Sequence, residues 1–203
     1  MEKNNQPEKI NGERIASREL GIIIPEIDRL LCKGNVIVAI DGGSASGKTT
    51  LANRLAETYD CNVFHMDDFF LPLDMRTFER LKEIGGNIDR VRFQGEVLCP
   101  LEMGKTVYYR RFDCQTQTME AETAFSHKSL TIVEGAYSMH PEFSKYYDLG
   151  VFLDIDPEYQ KKRILIRNST AMAERFFGEW IPMENIYFSE TKIKERCDLI
   201  INI

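Results

Sequence analysis

From Gly42 to Thr50 the chain reads Gly-Gly-Ser-Ala-Ser-Gly-Lys-Thr-Thr, a run of small residues with one cation that cuts off an apolar stretch. Gly42, four intervening residues and then Gly47-Lys48-Thr49 is the spacing of a phosphate-binding P-loop. Glycines let backbone N–H groups come close to an anion, and the helix that follows turns its positive end and unpaired donors toward it. Gly42, Gly43, Ser44, Ala45, Ser46, Gly47, Lys48, Thr49 and Thr50 are therefore the candidate ATP-binding residues. Lys48 reaches the outer phosphates in such a loop, and the Thr49 hydroxyl is a ligand for Mg²⁺.

Two acidic positions could act on what the loop holds. Asp67-Asp68 closes the apolar stretch "VFHM", where a carboxylate takes the proton of an attacking hydroxyl or binds Mg²⁺ through water. Aspartate is also common in turns and helix caps, so the pair alone is ambiguous. Glu134-Gly135 ends the apolar "LTIV", the position from which a carboxylate holds a metal's water or a substrate hydroxyl. Arg163 and Arg167 share one face of a predicted helix and could clamp phosphates from a mobile lid, or simply form a solvated basic face. His65 is expected to pack inside a strand, and His127 and His140 to lie in polar turns. Phe176, Phe177 and Trp180 read as packing residues of the core or lid. No HExxH or comparable spacing suggests a zinc site.

The elements that must position these groups alternate. Strands are predicted at 36–40, over "CNVFHM", "LTIVEG", "DLGVFLDID" and "CDLIINI", and helices over 49–56, "LDMRTFERLKEI", "VRFQGEVLCPL" and "PEYQKKRILIRN". Pro25 is expected to open a helix ending near Gly34. "GKTVYYRRFDCQTQT" reads as an extended, hairpin-like excursion. Strands alternating with helices imply a parallel sheet covered on both faces. With 203 residues the chain is long enough for one such α/β domain. A net charge of −6 with dispersed basic residues disfavours nucleic acid as a partner. Five scattered cysteines without a CxxC pair fit reduced thiols. A polar start and the lack of a long apolar run point to a cytoplasmic protein with no membrane partner.

Taken in order, "GGSASGKTT", "MDDFF", "GGNIDRVRF", "YYRRFDC", "IVEGAY", "RILIRN" and "CDLIINI" resemble the uridine kinase and phosphoribulokinase family of P-loop kinases, which includes nicotinamide riboside kinases. The resemblance spans Ile37 to Ile201. It implies a P-loop NTPase fold: a five-stranded parallel sheet flanked by helices, a small helical lid at roughly 163–180, and a hairpin over the acceptor site. Residues 1–20 would be a polar tail or weak helix, and 21–203 a single kinase domain. It implies ATP and Mg²⁺ as cofactors, with Thr49 and Glu134 at the metal, partly through water. Lys48, Asp67, Asp68, Glu134, Arg163 and Arg167 match catalytic positions. Asp67, Asp89, Tyr109, Arg110, Arg111 and Phe112 match those that bind the acceptor.

The implied reaction is transfer of phosphate to a small hydroxyl compound, foremost the 5′-hydroxyl of a uridine- or cytidine-like nucleoside. Nicotinamide riboside, another sugar or a pantothenate-type alcohol is the alternative acceptor, and a non-catalytic ATP-binding regulator the alternative role. Family members that act on uridine carry a base-reading histidine in the hairpin, and "YYRRFDCQTQ" has none. No NKxD-type guanine-reading motif supports a GTPase-like switch. The partner is a small molecule, and homo-oligomerisation is left open. Lys48→Ala is expected to lower turnover by orders of magnitude with little change in thermal stability, because Lys48 meets charge that moves during transfer. Steady-state kinetics beside a melting curve checks this, and near-normal turnover would remove the P-loop assignment.

Overall fold

A computed structural model describes the backbone of residues 7–203 and the side chains from residue 18 onward. The chain begins with α1 (Pro7–Leu31), β1 (Val36–Gly42), α2 (Lys48–Thr58) and β2 (Cys61–His65). After 3₁₀ turns at Met66–Phe69 and Leu73–Met75 come α3 (Phe78–Lys82) and α4 (Arg90–Phe93). A π-turn at Gln94–Leu98 carries α4 into α5 (Cys99–Glu102). Four short strands follow: β3 (Val107–Tyr109), β4 (Phe112–Asp113), β5 (Thr118–Met119) and β6 (Thr123–Phe125). The second half holds β7 (Leu130–Glu134), a 3₁₀ helix at Pro141–Tyr146, β8 (Leu149–Asp154) and α6 (Pro157–Arg167). Then come α7 (Thr170–Arg175), a π-turn at Phe176–Trp180, α8 (Ile181–Thr191), α9 (Ile193–Arg196) and β9 (Leu199–Asn202).

Five strands form one parallel sheet in the order β2-β7-β1-β8-β9. Alternation along β1 divides the core. Val36, Val38 and Ile40 join Ile23, Ile27, Leu51 and Leu55 under α1 and α2. Ala39 faces the other way, with Phe64, Val133 and Phe152, against Phe93, Val97, Phe143 and Tyr187. Both faces are thus covered, as a parallel sheet requires. In the excursion after α5, β3 pairs with β6 and β4 with β5, both antiparallel. Among the described residues no helix is long and apolar enough to cross a membrane.

Two helices differ from their sequence reading. Pro25 lies inside α1 rather than opening it. An internal proline forfeits a hydrogen bond, and the burial of Ile23 and Ile27 on either side outweighs that loss here. The part of the expected tail at residues 1–6 lies outside the described residues. The helix expected over "LDMRTFERLKEI" is reduced to a 3₁₀ turn and the five-residue α3. Thr77 takes an extended conformation and caps α3, its Oγ accepting from the Arg80 N–H at 3.2 Å, so the two pieces cannot fuse.

β1 ends at a fully buried carboxylate. Asp41 Oδ1 accepts from Gly42 N at 2.7 Å, and its Oδ2 accepts from Met139 N at 2.9 Å and the Tyr187 hydroxyl at 2.7 Å. Burial pushes the Asp41 carboxyl up to about 6, against the pull of these hydrogen bonds and Lys48. A raised folded-state pKa makes the native chain bind the proton more tightly than the unfolded chain. The stability it contributes is therefore greatest below the ordinary value and lost as pH rises to the folded value. Asp41→Asn removes that titration and one acceptor oxygen. The variant is expected to be less stable throughout, with the gap to the parent narrowing by up to about 3 kcal/mol between pH 4 and 7, at about 1.4 kcal/mol per pKa unit. Urea unfolding across this range measures the gap, and a constant gap would assign Asp41 an ordinary pKa.

Candidate active site

The carboxyl ends of β1, β2 and β7 open into a cavity of about 580 Å³. The phosphate loop crosses it between β1 and α2. Gly42 has φ +145°, and a Cβ there would lie 2.4 Å from the Leu153 carbonyl oxygen, so only glycine fits this crossing of β8. Gly47 is left-handed at φ 104° and serves as the N-cap of α2. Lys48 Nζ donates to the carbonyls of Gly42 and Gly43 at 2.9 and 3.0 Å, which folds it back over the loop. Ser44, Ala45, Gly47, Lys48, Thr49 and Thr50 line the cavity. Ser46 lies off the cavity lining, and its Oγ is buried without a hydrogen-bond partner among the described residues.

The strand-end carboxylates divide by direction. Asp67 lines the cavity, where it is open to solvent yet crowded by protein atoms. That crowding raises its carboxyl above the usual range. Lys48 opposes the rise, while the charges of Glu134 and Asp68 add to it. Asp68 turns into the protein and lies off the cavity wall. It accepts from the Tyr109 hydroxyl at 2.8 Å and pairs with Arg111 Nε at 3.0 Å, so it ties the hairpin excursion to the end of β2. Glu134, at the end of β7, is buried on the cavity wall, with Thr49 Oγ1 donating to its Oε1 at 3.0 Å. His65 Nδ1 meets the same oxygen at 2.5 Å. This corrects the expectation of a packed strand histidine: the hydrogen bond to Glu134 raises the His65 pKa, with burial opposing.

Arg163 and Arg167 line the cavity from α6. Arg163 lies 3.9 Å from where a Cβ on Gly47 would be. Phe176 and Trp180 also line it, their rings edge to face at 4.5 Å, and Arg167 lies 5.8 Å from the Phe176 ring. The acceptor residues expected from the hairpin are arranged differently. Tyr109 is stacked between Phe69 and Phe125, and Phe112 is buried. Arg110 is exposed and offers its carbonyl to Arg92 at 2.6 Å. Asp89 caps α4, accepting from Arg92 N at 3.1 Å. None of the four lines the cavity; Cys114 is the excursion's residue that does.

The walls also include residues to which the sequence reading gave no site role, among them Glu184 of α8, Tyr137 and Asn87. Asn87 and Tyr137 lie within the quoted stretches "GGNID" and "IVEGAY". Glu184 sits in "IPMENIYF", where neither spacing nor composition signals a site.

Thr49 and Glu134 present adjacent oxygens, a hard donor pair that suits Mg²⁺. Among the described residues no group of three or more His, Cys, Asp or Glu side chains is arranged to hold a metal alone. That donor set fits an ion carried largely on nucleotide phosphates.

A phosphate loop at a helix N-terminus, a carboxylate at the end of the neighbouring strand and cationic side chains from α6 define a P-loop phosphotransferase. Residues 37–175 match the model of the phosphoribulokinase / uridine kinase family, and the chain belongs to that family. A uridine kinase of Macrococcus caseolyticus is 28% identical over 183 residues, covering 81% of this chain and 86% of the relative. A uridine kinase of Clostridium novyi is 26% identical over 183 residues, covering 82% and 86%. A solved structure described as a possible uridine kinase of Bacillus stearothermophilus superposes with a TM-score of 0.64. It covers 88% of this chain and 98% of its own at 21% identity, a likeness of fold.

The two aspartates are expected to separate in function. Asp67→Asn keeps the shape but not the basicity, so turnover should fall by about 10²- to 10⁴-fold with ATP affinity retained. Asp68→Asn should instead loosen the hairpin, lowering stability by about 1–2 kcal/mol with a smaller effect on turnover. Kinetics and denaturant unfolding of both variants check the ranking, and the reverse order would exchange the roles.

Proposed function

We propose that this chain is an ATP-dependent kinase that transfers the γ-phosphate to a hydroxyl of a small, nucleoside-like acceptor, foremost a ribose 5′-hydroxyl. The observation that carries the reading is the placement of Asp67, with its raised pKa, in one cavity with Lys48, Thr49 and Glu134. Asp67 takes the proton of the acceptor hydroxyl as its oxygen attacks phosphorus, and the bond from phosphorus to the ADP oxygen breaks. Lys48, released from the Gly42 and Gly43 carbonyls, neutralises charge on the outer phosphates, and Arg163 and Arg167 do so from the lid side. Thr49 and Glu134 would hold Mg²⁺, which when bound shields the phosphate charge. His65 fixes the orientation of Glu134. The remaining contribution is alignment of two reactants in a partly desolvated cleft.

The nucleoside part rests on the family relatives. A sugar or pantothenate-type alcohol is the second reading, favoured by a hairpin whose Tyr109 and Phe112 rings are buried rather than open to a base.

The test is ADP release by the purified chain with Mg·ATP, with and without uridine, cytidine or nicotinamide riboside, and ³¹P NMR of the product. ADP release should depend on the added riboside, and a phosphomonoester should appear on its primary hydroxyl. ADP release without regard to acceptor would make the protein an ATPase. Tight ATP binding without turnover would make it a regulator.

A further inference from the structure

Glu184 lies outside every stretch that resembles the family, yet it reaches the heart of the site. Its Oε2 accepts from the Ser44 backbone N–H at 2.8 Å and its Oε1 from the Ser44 hydroxyl at 2.6 Å. The residue is 5% exposed and lines the cavity. Lys48 and Asp67 line the same cavity. A carboxylate offers about four lone-pair sites, and Ser44 uses two.

Tyr137 and Asn87 share that end of the cavity. Tyr137 has φ 71°, a left-handed backbone unusual for a bulky residue and a form of strain that collects at functional sites. It is 5% exposed, and its hydroxyl has no hydrogen-bond partner among the described residues. Its ring packs on Tyr187 with centroids 4.8 Å apart. Asn87 Oδ1 is buried and likewise without a partner. Two strained or orphaned polar groups beside a half-used carboxylate ask for a ligand rich in hydroxyl donors.

The charges narrow the ligand further. Asp67, Glu134 and Glu184 surround this end of the cavity. Two arginines of this region are tied to the protein. Arg111 is paired with Asp68, and Arg76 donates its Nε to the Leu71 carbonyl at 2.6 Å behind Cys114. Lys162, Arg163 and Arg167 line the cavity from α6. A carboxylate or phosphate on the acceptor beside Glu184 would face the like charge of Asp67, Glu134 and Glu184.

We propose that Glu184, with the Tyr137 hydroxyl and the Asn87 carboxamide, forms an acceptor subsite specific for a neutral or cationic polyol, and that Glu184 is its specificity-determining residue. The inference rests on the kinase reading above and specifies its acceptor. Glu184 accepts an acceptor hydroxyl on its free lone pairs, and Ser44 holds the carboxylate in place, so the acceptor and the phosphate loop are registered through one side chain.

The experiment measures ADP release by the full chain at saturating Mg·ATP. The probes are uridine, cytidine and nicotinamide riboside on one side, and glycerate, pantothenate and ribose 5-phosphate on the other. Neutral or cationic ribosides should be turned over in preference to the anionic compounds. Glu184→Gln can still accept from Ser44 N–H and can donate to Ser44 Oγ, so it preserves the loop contact while removing the charge. It should raise the KM for the preferred acceptor about tenfold or more and leave the KM for ATP within about twofold. Tyr137→Phe removes a hydroxyl that holds nothing in the protein. It should raise the acceptor KM severalfold with an unchanged melting temperature, and it tests the subsite should Glu184→Gln fold poorly. Preference for an anionic acceptor, or unchanged acceptor KM in both variants, overturns the subsite and leaves the kinase standing. A rise confined to the ATP KM in Glu184→Gln overturns it too, reducing Glu184 to a brace of the phosphate loop. No acceptor-dependent ADP release from any probe removes the kinase reading, and the subsite with it.

Discussion

The carboxylate of Asp41 holds together parts of the molecule that are far apart in sequence. It is fully buried, and its three hydrogen bonds go to the first glycine of the phosphate loop, to the backbone after β7 and to a tyrosine of α8. A buried charge is costly unless it is fully hydrogen-bonded, so each of these partners is constrained by the same ion. Gly42 takes a conformation that only glycine accepts easily, close against β8. Met139 N is held by the carboxylate, and the preceding residues 135–138 carry Tyr137 to the cavity wall. Tyr187 fixes α8, one turn from Glu184.

Ser44 is a second meeting point, one layer nearer the ligand. Glu184 binds its N–H and hydroxyl, and Gln160 of α6 donates to its carbonyl at 2.9 Å. α6 and α8 are the two helices between which α7 and the Phe176–Trp180 turn are strung. Both roots of this segment are therefore fastened to the loop that binds phosphate. Arg163, Arg167, Phe176 and Trp180 hang between those roots over the cavity. The segment is tied to the loop at both ends by these hydrogen bonds.

The excursion between α5 and β7 is governed by burial. Its aromatic residues resemble a lid for a flat ring, but Tyr109 lies between Phe69 and Phe125 and joins the main core. Asp68 supplies the polar anchor for the Tyr109 hydroxyl, and Arg92 spans the gap by donating to the Asp68 and Arg110 carbonyls. Aromatic surface packs where it is dry, and here the dry place is behind β2 rather than over the cavity.

The loop Gly42–Thr50, the sheet and the strand-end acids Asp67 and Glu134 were legible in the chain itself. Their chemistry is local: glycine spacing sets a backbone path, and apolar runs ending in an acid mark the carboxyl ends of buried strands. The short α3 was misread because a single threonine cap outweighs an amphipathic pattern. Pro25 was misread because packing of Ile23 and Ile27 outweighs a local helix penalty. Which of two adjacent aspartates faces the cavity was not readable, since that depends on where the chain turns after β2 and what lies opposite. The pairing of Glu184 with Ser44 joins positions 140 residues apart and carries no sequence spacing at all. The sequence by itself determined the sheet, the phosphate loop and the class of chemistry, because those follow from neighbours along the chain. Only the tertiary structure decided which polar groups wall the cavity, because their meeting depends on how helices from the far end of the chain pack across the sheet.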